Sequence, residues 1–300
     1  MKLTFATPAA LKASLEDRLR SRARATGADL QRLRQLVVYD RFLARIFEVD
    51  VADVVLKGGL ALELRSDRAR ATKDVDLRMM GAPDAALERL QELGRRDLGD
   101  FLRFEIAVDP RHPEIEADGL VYEGRRYRVQ ALLAGRIYGR PFGVDVAFAE
   151  PLVAEPETLQ GEPWLDFVGL PPTQVRVYPL TAHIAEKLHA YTLPRPRPNS
   201  RVKDLPDIAL LAQTRSLAAP ELRHALAATF GHRRTHELPA TLPDPPDFWA
   251  APYREMAREH RLAWATLDDL LVAVRAFLDP ILAGDAGRWD ESAWRWRDDA

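Results

Sequence analysis

Two aspartates two positions apart have the residue type and spacing that best suit chemistry in this chain. Asp74 and Asp76 lie in the alternating segment 71–79, where Val75 and Leu77 fill the positions between charged residues. Side chains at positions i and i+2 of a strand point to one face, so the pattern predicts a strand with both carboxylates together. Neighbouring carboxylates repel unless a cation lies between them. The pair therefore predicts a divalent-metal site, with a solvated strand face or a helix cap as the structural alternative.

A third carboxylate is available from another predicted strand. Asp145 stands between Val144 and Val146 in the apolar segment 142–148, where an ionised side chain needs a reason to be present. The chain has no cysteine, and no histidine pair at ligand spacing lies near these aspartates. Ligation through oxygen alone favours Mg²⁺ or Mn²⁺. Together with the first two aspartates, Asp145 would complete a platform for two metal ions.

A glycine turn precedes the aspartates. Lys57, Gly58 and Gly59 follow a short apolar run, residues 54–56, and lead into a helical stretch over 60–64. The first N–H groups of a helix and its positive dipole end attract anions, and glycine allows phosphate to approach the backbone. A tight strand-to-helix turn is the structural alternative. A phosphate site beside a metal site indicates a nucleotide.

These motifs, with two later ones, resemble a known family. Residues 57–62 read K-G-G-x-A-L and residues 70–77 read R-x-x-K-D-x-D-L; a lysine-bearing helical motif follows at 181–190, and R-x-K-D-x-x-D at 201–207. The order is similar to that of the AbiEii-type nucleotidyltransferase toxins, a branch of the DNA polymerase β-like superfamily that includes the mycobacterial Men toxins. The match extends from residue 57 to 208. Leu60, where the family usually has threonine or serine, and Pro206 depart from the pattern.

The resemblance implies both a fold and a reaction. The fold would be α+β (α/β-type), a polymerase β-like nucleotidyltransferase fold with a mixed sheet and a mainly helical C-terminal lobe. The reaction would move a nucleoside monophosphate from an NTP to RNA, at the 3′ end of tRNA, with release of pyrophosphate, and would block translation and growth. Mg²⁺, or Mn²⁺, would be the cofactor. A cognate antitoxin carrying a winged-helix-like domain would be the partner.

The resemblance also implies roles for individual residues. Asp74, Asp76 and Asp145 would bind metal; Lys57, Gly58, Gly59, Arg70 and Lys187 would bind nucleotide; Asp74, Asp76, Lys187 and Asp204 would be catalytic, with Arg201, Lys203 and Asp207 as further candidates. For Lys187, the alternative is an exposed lysine beside Glu186.

Pro206 suits the first position of a helix predicted over 206–213. Asp204, just outside that helix, is favoured over Asp207, which would stabilise its first turn.

Lysine usage supports the choice of cations. The chain has only six lysines among 43 basic residues, and four of them lie in the motifs. Lysine and arginine are not equivalent at a close-packed anion site. An arginine concentration near Asp145 (Arg125, Arg126, Arg128, Arg136 and Arg140) suits an RNA backbone or, equally, a solvated ribbon. His183 and His189 fall on different helix faces and are predicted to be packing or rim residues.

The C-terminal tryptophans allow two interpretations. Trp289, Trp294 and Trp296 alternate with arginines, a pattern that suits stacking on unpaired bases. Trp289 and Trp296 are also seven residues apart, as in a terminal amphipathic helix, and this second interpretation is favoured.

The elements that must position these residues follow from pattern. We predict helices over 9–24, 30–46 and 83–100, strands over 104–108, 120–122, 127–133 and 142–148, and then helices over 181–193, 206–213, 220–229, 253–261 and 267–282, with loops at 194–198 and 238–252. Strands give way to helices near 155–178, which predicts a nucleotidyltransferase lobe over 1–165 and a helical lobe over 166–300.

Composition limits the remaining possibilities. The net charge is −2, so binding to nucleic acid must be local. No segment has the length and apolarity of a signal peptide or a membrane span, which predicts a cytoplasmic protein without a membrane partner. An antibiotic-type, small-molecule nucleotidyltransferase and a non-catalytic NTP- or RNA-binding module stay as alternative functions.

Overall fold

The computed structural model describes residues 5–48, 53–66, 69–115, 123–148, 152–195 and 201–298. The strand predicted over 120–122 and most of the proline-rich loop at 194–198 lie outside the described residues. Two helices open the chain, α1 (Pro8–Thr26) and α2 (Leu30–Phe47). Thr7 caps the first through its side chain, which accepts from the N–H of Ala10, and Gly27 ends it with a positive φ.

A mixed sheet forms the centre of the N-terminal part. Its strands and intervening helices are β1 (Val54–Lys57), α3 (Gly58–Arg65), β2 (Asp74–Met79), α4 (Ala86–Gly94), β3 (Arg103–Val108), β4 (Gly124–Leu133), β5 (Arg136–Ile137), β6 (Phe142–Phe148), β7 (Glu157–Gln160) and β8 (Gln174–Val177). The strand order is β3-β4-β6-β2-β1-β8-β7, with β5 paired to β4. β2 runs parallel to β6 and antiparallel to β1. The predicted α+β class with a mixed sheet is confirmed.

Helices dominate the C-terminal part. They are α5 (Leu180–Thr192), α6 (Asp204–Ala212), α7 (Ala219–Arg233), α8 (Ala250–His260) and α9 (Leu267–Ala283), accompanied by the short strands β9 (Leu217–Ala218), β10 (Arg288–Asp290) and β11 (Arg295–Arg297).

Two large hydrophobic cores among the described residues hold this arrangement together. The first packs α1 and α2 on the sheet through buried residues such as Phe42, Val75 and Val144. The second lies among α5, α6, α7 and α9, and Leu62 of α3 belongs to it, so α3 touches both cores. The sheet continues beyond residue 165 because β8 pairs with β1. The lobe division between residues 165 and 166 stays a prediction.

The helix predicted over 83–100 is too long. A 3₁₀ turn (Pro83–Ala85) leads into α4, which ends at Gly94. The chain then turns because the side chain of Asp97 accepts from the N–H of Gly99, and Asp100 is drawn inward to a buried ion pair with Arg45 at 2.7 Å. The long-range ion pair therefore overrides local helix propensity at this point.

The start of the helix containing the fourth motif is also corrected. α6 begins at Asp204 rather than Pro206, and Lys203 is its cap residue. Pro206 is the third helical residue, where a helix has no internal acceptor for the N–H that proline lacks. Asp204 and Asp207 are therefore both in the first turn.

The prediction of an amphipathic helix at the C-terminal tryptophans is wrong. Residues 288–297 form a hairpin in which Trp289 pairs with Trp296 across β10 and β11. Trp289 is fully buried against Phe277, and its indole N–H donates to the carbonyl of Ala212. A spacing of seven residues fits a hairpin as well as two helical turns, so sequence spacing did not distinguish them. The buried Trp289 is not available to stack on bases.

Candidate active site

A row of charged residues crosses one face of the sheet. Lys57 of β1 pairs with Asp76 of β2, Asp76 pairs with Asp145 of β6, and Asp145 pairs with Arg126 of β4. Residues opposite one another on neighbouring strands share a face, with strands about 4.8 Å apart. Asp74 lies two residues before Asp76 on the same face. The structure therefore brings the three predicted metal-binding aspartates to one surface.

Two glycines allow the backbone to pack closely against the aspartates. Gly58 begins α3 with φ +61°, and a Cβ atom there would lie 1.9 Å from Oδ2 of Asp76. A Cβ atom at Gly143 on β6 would lie 2.7 Å from Oδ1 of Asp74. Lys57, the residue that precedes α3, makes no side-chain cap. The first turn of α3 thus adjoins Asp76, and its N–H groups receive no acceptor from the capping residue.

The electrostatics of Asp74 and Asp76 are those of crowded carboxylates. Burial, followed by the charge of Asp145, raises the pKa of Asp74. The same two causes raise the pKa of Asp76 to about 6. Neither side chain lies within 4.0 Å of a basic nitrogen in the described part of the chain. A cation at this surface would relieve the repulsion.

Asp145 has a different environment. Arg126 donates from Nε and Nη2 to the two carboxylate oxygens of Asp145, each at 2.6 Å. Over the described ranges, no group of three carboxylate or histidine side chains is arranged to hold one metal ion. The donor set and its shared face fit a hard divalent cation, but an arginine occupies the third carboxylate. The sequence pattern indicates for Arg126 only a place in a basic ribbon, because nothing in the sequence specifies that β4 pairs with β6.

Lys57 forms an ion pair with Glu186 rather than with the aspartates. Its Nζ lies 2.9 Å from Oε1 of Glu186 on α5 and 4.5 Å from the centre of the Tyr178 ring. Arg233 of α7 contacts the same carboxylate at 3.1 Å. This cluster joins the end of β1 to α5 and α7. Glu186 was expected only as a neighbour of Lys187, because a contact between residues 57 and 186 has no local signal in the sequence.

Lys187 lies in a buried ionic network rather than on an exposed face. Its Nζ is 2.7 Å from Oδ2 of Asp207 and 3.2 Å from Oδ1 of Asp204. Although burial lowers the pKa of Lys187, Asp207 and Asp204 raise it above its ordinary value. The interpretation of Lys187 as an exposed lysine paired with Glu186 is therefore wrong.

Arg70 completes the network from the loop before β2. Its guanidinium donates to both carboxylate oxygens of Asp207, at 2.8 and 2.9 Å. Burial raises the pKa of Asp207, but Lys187 and Arg70 outweigh it and bring the value to about 2. Asp207 is therefore a charged link between two motifs. Asp204 makes a longer contact with Arg201, at 3.4 Å.

Lys203 is exposed, unlike the largely buried motif cations Lys57, Arg70 and Lys187. Its charge is close enough to lower the pKa of Asp74 in opposition to the stronger effects of burial and Asp145. No carboxylate lies within ion-pair distance of Lys203 among the residues described. Lys203 and Lys73 are thus the exposed motif lysines available to an incoming anion, whereas Lys57 and Lys187 are paired with carboxylates.

An open cavity of about 440 Å³, here called the Asp74 cleft, adjoins the carboxylates. Its wall includes Lys73, Asp74, Asp109, Arg111, Arg126 and Arg128. The predicted arginine ribbon is therefore divided between two faces. Arg126 and Arg128 line the cleft, whereas Arg125 belongs to the opposite face, where Glu114 lies 2.8 Å away.

The two histidines of α5 are packing residues, as predicted. Both are buried. Neither ring nitrogen of His183 has a hydrogen-bond partner among the described residues, and burial lowers its pKa to about 3. The ring of His189 is within 2.8 Å of the Thr235 hydroxyl. Neither histidine approaches the aspartates in a way that would make it a ligand.

A mixed sheet that carries aspartates beside a glycine-initiated helix is consistent with the nucleotidyltransferase class. Comparison with protein families supports this class: the family described as "Nucleotidyl transferase AbiEii toxin, Type IV TA system" matches residues 41–279. The protein belongs to the AbiEii family of nucleotidyltransferase toxins. Membership implies an NTP as substrate and a cognate antitoxin as partner.

One solved structure shows the same fold. MenT4, a nucleotidyltransferase toxin from Mycobacterium tuberculosis H37Rv, is 19% identical over 93% of this chain and 92% of its own, with a TM-score of 0.56. A weaker match, to a protein from H. pylori described as a "putative nucleotidyltransferase", is 15% identical, covers 87% of this chain and 89% of its own, and has a TM-score of 0.39. Comparison with curated protein sequences finds no significant match. No helix within the described ranges has the length and apolarity needed to cross a membrane.

Proposed function

We propose that this protein transfers a nucleoside monophosphate from an NTP to an RNA acceptor, the 3′ end of a tRNA, with release of pyrophosphate, and so blocks translation and growth. The observation that carries the proposal is the meeting of Asp74, Asp76 and Asp145 on one sheet face, next to the start of α3. Nucleotidyl transfer needs both a phosphate site and a place for cations, which the start of α3 and the three aspartates would supply.

The three aspartates would hold Mg²⁺ or Mn²⁺. Such ions, when bound, lower the pKa of an attacking hydroxyl and neutralise charge on the leaving pyrophosphate. Gly58 and Gly59 would let the triphosphate approach the backbone of α3. Lys203 would meet its negative charge from the exposed side. Lys187 and Arg70 would position the first turn of α6 through Asp207.

The Asp74 cleft supports a polyanionic acceptor. Four of its wall residues are cationic, Lys73, Arg111, Arg126 and Arg128, and they lie beside a candidate metal-binding carboxylate. A row of cations beside the reacting position suits the backbone of a nucleic acid. We further propose that the protein acts in the cytoplasm. An antitoxin with a winged-helix-like domain would restrain it.

Labelling of RNA tests the proposal. The purified chain would be incubated with each α-labelled NTP, total RNA and Mg²⁺ or Mn²⁺, followed by separation of RNA from small molecules. We expect label at RNA 3′ ends, concentrated in the tRNA fraction. The D76N variant should lose at least about a hundredfold in rate, the order found when one group that stabilises transition-state charge is removed. The D84N variant is the control, because Asp84 is 99% exposed.

The alternatives give different results. Label on a small molecule of a cell extract, with none on RNA, would indicate an antibiotic-type nucleotidyltransferase. Binding of NTP without transfer to any acceptor would indicate a non-catalytic module. Either result contradicts the proposed function.

A further inference from the structure

Arg126 is the cation that contacts the aspartate surface in the described part of the protein. Its two hydrogen bonds to Asp145, both 2.6 Å, form the paired arrangement in which arginine and carboxylate interact most strongly. Asp74 and Asp76 have no comparable partner there. The positive charge is therefore concentrated on one carboxylate, and the two carboxylates beside it are left without an ion pair.

Arg126 is partly exposed and lies at the wall of two cavities. Its side chain is 36% exposed, whereas that of Asp145 is 16% exposed. It lies on the wall of the Asp74 cleft and also lines an adjoining cavity of about 420 Å³. A rotation about its side-chain torsions would keep the guanidinium in solvent and among other cleft residues, so leaving Asp145 would not bury an unpaired charge.

We propose that Arg126 is a resident counter-ion that competes with the divalent cation for Asp145, and that substrate phosphate entering the Asp74 cleft draws the guanidinium away. This inference rests on the proposed function. In the free protein, the third carboxylate is held by arginine, and cations bind weakly at the remaining two. When phosphate pairs with Arg126, Asp145 is released, so the complete metal site forms only when substrate is present.

The physical basis is a simple exchange. While Arg126 donates to both oxygens of Asp145, a cation can reach only the remaining lone pairs of that carboxylate and is repelled by the guanidinium charge, so the two cations compete. Phosphate is an alternative acceptor for the same planar fork. Arg126 should therefore oppose cation binding and favour nucleotide binding. A residue with a purely structural role would not produce opposite effects on these two affinities.

Two binding measurements on the purified full-length chain test the inference without activity. The first measures the affinity for Mn²⁺ alone, by electron paramagnetic resonance or calorimetry, in the wild type and in R126Q. The second measures the affinity for a non-hydrolysable NTP analogue in the presence of EDTA. We expect R126Q to bind Mn²⁺ about tenfold more tightly or better, and the analogue about tenfold more weakly, as losing a charge-assisted contact implies.

Matched variants separate competition from a general change in charge. Arg128 is on the same strand and the same face and lines the same cleft, so R128Q removes one positive charge without freeing Asp145. Its gain in Mn²⁺ affinity should be much smaller than that of R126Q. In a D145N background, R126Q should give little further gain in Mn²⁺ affinity, because the carboxylate for which Arg126 and the cation compete has been removed.

Several outcomes would overturn the inference. These are equal Mn²⁺ affinities for R126Q and R128Q, a full R126Q gain that persists with D145N, changes of the same sign in both affinities, or no Mn²⁺ binding in any variant. The labelling assay is independent of these measurements. If RNA is labelled but R126Q does not change the two affinities in opposite directions, only the role of Arg126 is contradicted. If the affinities change in opposite directions but RNA is not labelled, only the proposed reaction is contradicted.

Discussion

Gly58 and Asp76 approach so closely that a Cβ atom on the glycine would lie 1.9 Å from a carboxylate oxygen of the aspartate. The glycine also has φ +61°, a conformation that other residues adopt at a cost. The first residue of α3 and a candidate metal ligand on β2 are therefore fitted to each other. Any side chain at position 58 must displace Asp76.

The G58A variant should lose both stability and nucleotidyl transfer. Gly27 provides the matched control, because it has φ +70° and a Cβ atom added there would have no neighbouring atom within 4 Å. G27A should cost about 1–2 kcal/mol from the backbone alone and should leave transfer unchanged. G58A should cost more and should reduce transfer at least about tenfold, since a small misplacement at the reacting centre is expensive. Denaturant unfolding and the labelling assay measure the two effects. Equal behaviour of the two variants would contradict this account.

Asp76 should make stability depend on pH in the absence of divalent cations. Its pKa is about 6 in the folded chain against an ordinary 3.8, so the folded state holds the proton more tightly. Stability must then fall as pH rises between these two values. The D76N variant lacks this fall. Its free energy of unfolding minus that of the wild type should therefore increase from about pH 4 to about pH 6 and then level off.

Denaturant titrations of both proteins in EDTA across this pH range measure the difference. Burial also raises the pKa of Asp40 to about 6. Because both proteins contain Asp40, its contribution cancels in the difference between them. A difference that stays constant over the whole range would show that Asp76 is not the group responsible.

The two aspartates of the fourth motif should differ in their effect on stability. Asp207 is completely buried and is held by both Arg70 and Lys187. D207N should destabilise the protein by about 3–5 kcal/mol, because it leaves buried positive charge without its partner. D204N should cost less, since its contacts with Lys187 and Arg201 are longer, at 3.2 and 3.4 Å. Thermal and denaturant unfolding would show the order, and a larger cost for D204N would contradict it.

Lys203 should contribute to NTP binding more than to folding. Its side chain is exposed, whereas the charges of Lys57 and Lys187 are already matched by carboxylates. K203A should raise the KM for NTP by about tenfold, the order expected for one lost charge-assisted contact, with little change in the melting temperature. K12A, which removes a lysine from α1, is the control. An unchanged KM for K203A would place the phosphate elsewhere.

Local sequence determined many of the elements and placed the candidate aspartates on their strands. Alternation over residues 71–79 was enough to put Asp74 and Asp76 on one face, because the period of a strand is two. The segment 142–148 is a strand with the predicted limits, β6. The order of four motifs identified the family, since each motif combines residue types that nucleotidyl transfer uses.

Tertiary structure decided which charges meet. The pairing of Arg126 with Asp145 needs β4 beside β6, the pairing of Lys57 with Glu186 needs α5 against β1, and the pairing of Arg70 with Asp207 joins residues 137 positions apart. Local periodicity contains no information about such contacts, because strand order and helix packing depend on burial summed over the whole chain. The same limit explains the hairpin of Trp289 and Trp296, whose spacing fits a helix until the core beneath it is known.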